Sequence, residues 1–355
     1  MASSSVQGLA YVHARVRAMI STLLTQQEMT ELVLAQDYPA LLGMLRRTVY
    51  GAYLARVDEK DLTPRRAVFE IRSQMADNFA VVLKSSPPGL RALLIQVYRS
   101  FEVDNLKAVL RGIVSGASWD RVRYVLFPIG KLSVVPAKEM VDEGNLTAAV
   151  EHLRRTPYYT PLVYALKRYT SEGTLFPLEV ALDLAYWREL WNEMKKLSKR
   201  DHEQAMHILG AQLDANNLMW AIRYRVYHNL SEEELINYTL PFGYRVRDTD
   251  IRSIAAGDDI AQVVARIYPE LTDVNELLQD PQTGLPELEV EFYRTIKGQC
   301  YAAFAGYPFQ VGVFLGYLTL KKMEIQDLTA LIEAKSSQIS PDRLRPFLLT
   351  QFSAK

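Results

Sequence analysis

A short motif that recurs three times, at an interval of about 110 residues, constrains this chain more than any other feature. In each copy a polar marker residue directly precedes a leucine, and a basic residue follows within eight positions. The copies are Phe101–Leu106 with marker Asn105, Leu213–Leu218 with marker Asn217, and Met323–Leu328 with marker Asp327. Solenoid repeats span about 20–50 residues, so this interval predicts three larger like units instead.

Each marker falls late in a long helical pattern that follows an amphipathic window. Apolar residues recur at i, i+3, i+4 and i+7 in these windows, which is the spacing of a helix with one buried face. We therefore predict three helical hairpins, at 65–84 with 90–113, 177–198 with 202–227, and 285–304 with 310–335. Alternating β-type patterns are scarce, with Leu132–Val135 the best candidate, so the predicted fold class is all-α.

A second element recurs between the hairpins. Phe127–Gly130 returns as Leu240–Gly243, and Leu45–Thr48 returns as Leu153–Thr156. These matches define a small-helix unit at 119–158, at 231–271 and, in a shorter version, at 9–54. Chance recurrence of Asn-Leu and Pro-x-Gly in a helical protein is the alternative interpretation.

The order of these elements predicts how the chain closes. The third hairpin runs almost to the last residue, so its small-helix unit has to come from the N-terminal end. We predict a closed ring of three pseudo-repeats in a single globular domain, 1–355. The repeats are A at 60–175, B at 176–281, and C at 282–355 together with 1–59.

Composition narrows the function. Lys plus Arg and Asp plus Glu are both 41, and such neutrality argues against a nucleic-acid-binding protein. A single cysteine, Cys300, excludes a disulfide framework and a cysteine-clustered metal site. The opening Met1–Ser5 does not resemble a signal peptide, and no apolar stretch is long enough to cross a bilayer.

The catalytic motifs that the chain suggests are incomplete. His202 and His207 are five residues apart, so they diverge around a helix instead of sharing a zinc ion. Gly130-Lys131 lacks the residues of a phosphate-binding loop. We expect no cofactor and no metal; an all-helical enzyme with an unrecognised site is one alternative.

Several segments together resemble the C subunit of the V/A-type rotary ATPases, the counterpart of the d subunit in the eukaryotic complex. They are Tyr11–Met19, Thr48–Leu54, Phe101–Gly112 and Tyr317–Lys335, and the resemblance covers the whole chain at matching length. Asp327 departs from the Asn of the other two repeats. If this position makes a buried hydrogen bond between repeats, the third unit is expected to differ in its partner.

The resemblance implies a three-fold pseudo-symmetric funnel and a mechanical role. Members of that family are non-catalytic rotor subunits of the central stalk, which couple the membrane proteolipid ring to the central shaft for ion transport linked to ATP synthesis or hydrolysis. It also implies one copy per complex, a cytoplasmic location peripheral to the membrane, and no nucleic-acid partner or small-molecule substrate. The alternative function is an all-helical scaffold with other partners.

Five residues are predicted to contact partners. The basic side chains that follow the three markers would occupy related places in a ring and meet an acidic surface; they are Arg111, Arg223 and Lys335. Phe242 and Tyr244 follow Pro241 and would form an exposed aromatic anchor. The alternatives are ordinary solvated charge for the three basic residues and core packing for at least one aromatic.

Overall fold

The computed structural model describes residues 6–350 except Asn229 and Pro308, with side chains from Tyr11 onward, so the predicted features of Met1–Ser5 lie outside it. Every regular element in the described part is a helix, which confirms the all-α prediction. The α-helices in chain order are α1 Val6–Ile20, α2 Gln26–Val33, α3 Tyr38–Leu45, α4 Gly51–Leu54, α5 Pro64–Ser85, α6 Pro88–Val114, α7 Trp119–Val122, α8 Ala137–Glu143, α9 Leu146–Glu151, α10 Tyr159–Glu172, α11 Phe176–Lys195, α12 Lys199–Ala205, α13 Ala211–Arg223, α14 Glu232–Asn237, α15 Asp248–Ala256, α16 Ile260–Ile267, α17 Val274–Gln279, α18 Pro281–Ala305, α19 Val311–Ser336 and α20 Pro341–Leu344.

Short helical turns of other types complete the structure. Single 3₁₀ turns lie at Glu59–Asp61, Gly130–Leu132 and Arg345–Phe347, and π turns lie at Met206–Gly210 and Tyr224–His228. The strand considered at Leu132–Val135 is not formed; this segment begins in a 3₁₀ turn and continues as irregular chain.

Local sequence explains where the long helices begin and end. Thr63 caps α5 by accepting a hydrogen bond from the Arg66 backbone N–H, and Pro64 occupies the first helical position, where no N–H is needed. Ser86 and Pro87 separate α5 from α6, and Pro88 occupies the first position of α6. Arg91 then donates from its guanidinium to the Leu83 and Ser86 carbonyls at 3.1 and 2.8 Å, which satisfies acceptors left open at the end of α5.

The described chain divides into two compact units. Unit 1 comprises residues 45–195, and unit 2 comprises residues 6–44 together with 196–350. The boundary between Lys195 and Lys196 falls directly after α11.

Unit 1 is built on α6. Its core joins the C-terminal half of α6 to the short helices α8 and α9 and to α10 and α11, through fully buried residues such as Leu106, Met140 and Leu178. Phe79 of α5 contacts Tyr98 of α6, with ring centroids 4.3 Å apart, so α5 packs on the other half of α6. α6 is therefore the element that the rest of unit 1 surrounds.

Unit 2 is built on α19. Of its 26 residues, 20 are buried, so it has no solvent-facing stripe and must be enclosed on all sides. The helices around it are α1, α12 and α18. The N-terminal helix α1 thus packs on α19, the last long helix of the described chain.

The predicted hairpins meet the structure in different ways. The first corresponds to α5 with α6, and the third to α18 with α19, and both pairs are in contact. The second hairpin, 177–198 with 202–227, remains a prediction. Its first helix corresponds to α11, which packs against α6 and α10 in unit 1, whereas residues 199–228 belong to unit 2. The repeat boundaries and the three-fold funnel also remain predictions.

The hydropathy of the helices bears on membrane insertion. In the part of the chain that the structure describes, no helix combines the length and the apolar character needed to cross a bilayer.

Candidate functional site

The marker residues hold the loops that follow the long helices. Asn105 accepts from the Phe127 backbone N–H at 2.6 Å and donates to the Phe127 carbonyl at 2.8 Å. Asn217 does the same to Leu240, at 2.9 and 2.6 Å. A side-chain amide can bond both polar groups of one backbone residue, because it carries a donor and an acceptor. We call these pairs clamp 1 and clamp 2.

In the third copy the marker is Asp327, and its clamp changes accordingly. A carboxylate only accepts hydrogen bonds. Asp327 therefore takes two backbone N–H groups, from Leu349 at 2.8 Å and from Thr350 at 2.7 Å, and also accepts from the Thr350 hydroxyl. We call this set clamp 3. A change of partner was expected for a hydrogen bond between repeats, whereas each clamp joins two segments of the same predicted repeat, so the condition of that expectation is not met.

A cation accompanies the substitution of Asp for Asn. Lys297 of α18 is buried, donates to the Thr350 carbonyl and interacts electrostatically with Asp327. Burial lowers the pKa of Lys297 to about 8, and burial also raises the pKa of Asp327 against the opposing effect of its hydrogen bonds. Clamp 3 is thus a charged version of a clamp that is neutral in the other two copies.

A buried acidic residue lies one helical turn before each marker and accepts hydrogen bonds from backbone N–H groups outside its own helix. Glu102 accepts from the Val134 backbone N–H at 2.6 Å and from the Tyr158 hydroxyl at 2.6 Å. Asp214 accepts from the Tyr244 and Arg245 backbone N–H groups at 2.8 and 2.5 Å. The sequence patterns did not single out these acids, although each lies three residues before a marker in the recurring motif.

The third acid, Glu324, reaches the beginning of the chain. It accepts from the Leu24 backbone N–H at 2.6 Å, across 300 residues of sequence. Its other oxygen accepts from the Lys321 amine at 2.7 Å, and both side chains are buried in α19. The N-terminal segment thus donates a backbone N–H to Glu324, as the loops that follow α6 and α13 donate backbone N–H groups to Glu102 and Asp214.

The middle repeat contains one extra residue, and a π turn accommodates it. Clamp 2 spans 23 residues, from Asn217 to Leu240, whereas clamp 1 spans 22. A π turn places one more residue in a helical turn than an α turn does. The π turn Tyr224–His228 lies within this span, and α6 is α-helical over its whole length.

Arg111 and Arg223 both pair with a glutamate on a neighbouring helix. Arg111 on α6 makes a forked ion pair with Glu179 of α11, at 2.7 and 2.9 Å. Arg223 on α13 pairs with Glu289 of α18 at 2.6 Å. These bonds are equivalent in the two copies, so the basic residues tie neighbouring helices together. Their predicted role at a partner interface is untested.

Lys335 has a different environment. It is only 7% exposed at the end of α19, and burial lowers the pKa of its amine. The third basic position is therefore mostly covered, and its predicted contact with a partner stays a prediction.

Phe242 and Tyr244 lie in the loop that clamp 2 and Asp214 hold. Tyr244 is exposed, and Phe242 is half-buried. Gly243 between them permits the arrangement, because a Cβ there would lie 2.2 Å from an Asp214 oxygen. The loop thus presents one aromatic side chain to solvent from a fixed backbone.

The acidic and thiol side chains of the described residues bear on metal binding and on reactivity. Among the described residues, no three His, Cys, Asp or Glu side chains are placed to hold a metal ion. A groove of about 520 Å³ between α17 and α18 carries six carboxylates, two of which already pair with Arg245 and Arg294. Cys300 is fully buried, and burial raises the pKa of its thiol, which suppresses the reactive thiolate.

Comparison with known proteins gives a consistent result. A model of the ATP synthase (C/AC39) subunit family matches residues 12–347. The C subunit of the A-type ATP synthase of Methanocaldococcus jannaschii is 24% identical over 349 residues, which cover 96% of this chain and 86% of the relative. The subunits of the same name from Methanothermobacter thermautotrophicus and Haloferax volcanii are each 25% identical, covering 94% and 96% of this chain and 86% and 97% of the relatives. The matched range contains all three markers.

We predict that Asn217→Leu lowers the free energy of unfolding by about 1–3 kcal/mol, because it leaves the buried Leu240 N–H and carbonyl without partners. Chemical denaturation measures this loss. Asn216→Leu is the control, since Asn216 is half-buried and its amide bonds only to its own helix, at Gln212. Equal stability of Asn217→Leu and the native chain would contradict the role of clamp 2.

We predict that Asp327→Asn and Lys297→Met each destabilise the protein and that the double variant loses less than the sum. Either single change leaves a buried charge without its counter-charge, whereas the double change restores a neutral clamp. The expected coupling in a denaturation double-mutant cycle is about 1–3 kcal/mol. Additive losses would show that the two charges act independently.

We predict a distinctive pH dependence for Asp214, whose pKa is raised to about 6 by burial despite three backbone hydrogen bonds. The folded state then holds the proton more tightly than the unfolded state, so stability is greater in acid and falls as pH rises from about 4 to 6. Relative to Asp214→Asn, the free energy of unfolding of the native chain falls by up to about 3 kcal/mol, because one pKa unit corresponds to about 1.4 kcal/mol. Denaturation of both proteins across this range measures it; a rise would contradict the prediction.

Proposed function

Because the chain belongs to the ATP synthase (C/AC39) subunit family and is a subunit of a rotary ATPase, we propose that it is a non-catalytic rotor subunit of the central stalk. In this role it couples the membrane proteolipid ring to the central shaft, so that ion transport is linked to ATP synthesis or hydrolysis. The observation that carries the proposal is the family match over residues 12–347, which includes the long helices with their markers.

The clamps support a mechanical role. A part that transmits torque must keep its contact points fixed relative to its core. Loops usually move more than the elements they connect, but the loops after α6 and α13 are each held by two side chains of the long helix, a buried acid and an asparagine. Close-packed helices deform little under load, so a force applied at such a loop passes directly into α6 or α13.

The polar core supports a non-catalytic role. A general acid or base needs a titratable group within reach of a substrate. Glu102, Asp214 and Glu324 instead direct their oxygens at backbone N–H groups and at internal side chains. These carboxylates thus stabilise the fold through internal hydrogen bonds.

The proposed partners are the proteolipid ring and the subunits of the central shaft, with one copy of this chain per complex. The proposed location is cytoplasmic and peripheral to the membrane, as part of a membrane-bound complex. The neutral net charge suits a protein that contacts several others better than one that a single strong field attracts.

We predict that the full chain forms a complex with the proteolipid ring and the shaft subunits together and that it is required for coupling. In a complex reconstituted without it, ATP hydrolysis by the head continues but no ion gradient forms; adding the chain restores ATP-driven ion pumping. Pumping is followed with a pH- or ion-sensitive dye, and hydrolysis by phosphate release. Failure of the chain to bind either partner would refute the proposal and favour a scaffold with other partners.

A further inference from the structure

The loop after α7 in unit 1, residues 123–135, exposes an apolar surface that no described element covers. We call it loop 1. Three aliphatic side chains in it are about half exposed: Val125 at 48%, Leu132 at 43% and Val134 at 45%. Single exposed aliphatic residues are ordinary, but three within ten residues of one loop expose apolar area whose burial would be favourable, and we call these three side chains the aliphatic patch.

Loop 1 is held in place along its length. Arg72 of α5 donates to the Val125 carbonyl at 2.7 Å, clamp 1 fixes Phe127, and Glu102 holds the Val134 N–H. Phe127 also stacks on Phe101 of α6, with ring centroids 4.1 Å apart. The apolar side chains are therefore presented on a fixed backbone, so binding through them costs little ordering.

The sequence around loop 1 has a local excess of basic residues. Residues 119–136 contain three basic residues and one acidic residue, Asp120, which pairs with Arg123 at 3.2 Å. Arg121 and Lys131 are exposed, and neither has a hydrogen-bonded or ion-paired partner within the described part of the chain. In a chain of zero net charge, this local excess favours an anionic partner.

We propose that loop 1 is a docking surface for an acidic and apolar surface of another protein, with the aliphatic patch at the centre of the contact and Lys131 pairing with a carboxylate at its edge. The identity of that protein as another rotor component rests on the proposed function. We assign the contact to a protein and not to a membrane surface, because loop 1 is irregular chain around one 3₁₀ turn and contains no amphipathic helix that could lie in the lipid interface.

The first test measures accessibility in the assembled complex. Cys300 is fully buried, so Leu132→Cys introduces the one exposed thiol of the described chain. We expect maleimide to label Leu132→Cys readily in the free protein and at least tenfold more slowly after assembly with the proteolipid ring and shaft subunits. Tyr164→Cys is the control, because Tyr164 on α10 is 71% exposed, and its labelling rate should not change.

The second test measures affinity for the purified ring and for the shaft subunits separately. Leu132→Ser with Val134→Ser should weaken binding to one of them at least tenfold, as should Lys131→Glu, whereas Lys131→Arg and Tyr164→Ser should bind like the native chain. Native-like binding of the loop variants together with unprotected Leu132→Cys would overturn the docking surface but leave the proposed function intact. No binding by the native chain would overturn the proposed function, and the docking surface with it.

Lipid is tested as a separate outcome. Vesicles of phosphatidylcholine with anionic phosphatidylglycerol are mixed with the native chain and with the Leu132→Ser, Val134→Ser double variant. We expect neither to co-sediment. Co-sedimentation of the native chain that the double variant loses would assign loop 1 to the membrane surface and overturn the proposal of a protein partner.

Discussion

Buried hydrogen-bond acceptors on three long helices organise this protein. A polar side chain in a helical core is costly unless it is satisfied, and here the nearest available donors are backbone N–H groups of irregular chain. Each long helix therefore requires a loop or a chain end to come to a fixed place beside it. The short helices, the turns and the closure of unit 2 are arranged around that requirement, and the apolar packing fills the space between.

The three copies satisfy the same requirement with different chemistry. Asn105 and Asn217 use an amide to bond both groups of one residue, whereas Asp327 uses a carboxylate, two N–H groups and a nearby Lys297. The middle copy takes an additional residue into a π turn and keeps its clamp. A repeat can thus diverge in sequence and in length while its marker still binds backbone groups 22 or 23 residues further along the chain.

Much of the fold was predictable from the sequence, because long amphipathic windows and a triple motif are local signals. The helices around 65–84 and 285–304 and the positions of the three markers late in long helices follow from such signals. The partners of the predicted contact residues could not be predicted in this way. Arg111 and Glu179 lie 68 residues apart, and neither segment contains a pattern that indicates the other. The same holds for Lys335, whose burial depends on how α19 is enclosed.

Candidate contact residues were harder still. Tyr244 is exposed as expected, yet two residues of the aliphatic patch, Leu132 and Val134, lie in the segment for which the sequence suggested a short strand. The bonds of Glu102 and Asn105 to this stretch fix its backbone, so that Val135 is buried in the core while Leu132 and Val134 stay exposed.

The bond between Leu24 and Glu324 has a consequence for biosynthesis. A ribosome that adds about 5–20 residues per second needs roughly 15–60 s to travel from one to the other. During that time α1 and α2 have been translated, but α19, on which the N-terminal segment is held, has not. Residues 45–195 form unit 1 by themselves, so unit 1 is complete before α19 is made. Residues 6–44 are thus among the last parts of unit 2 to find their place, and they stay accessible to chaperones and proteases until α19 has been made.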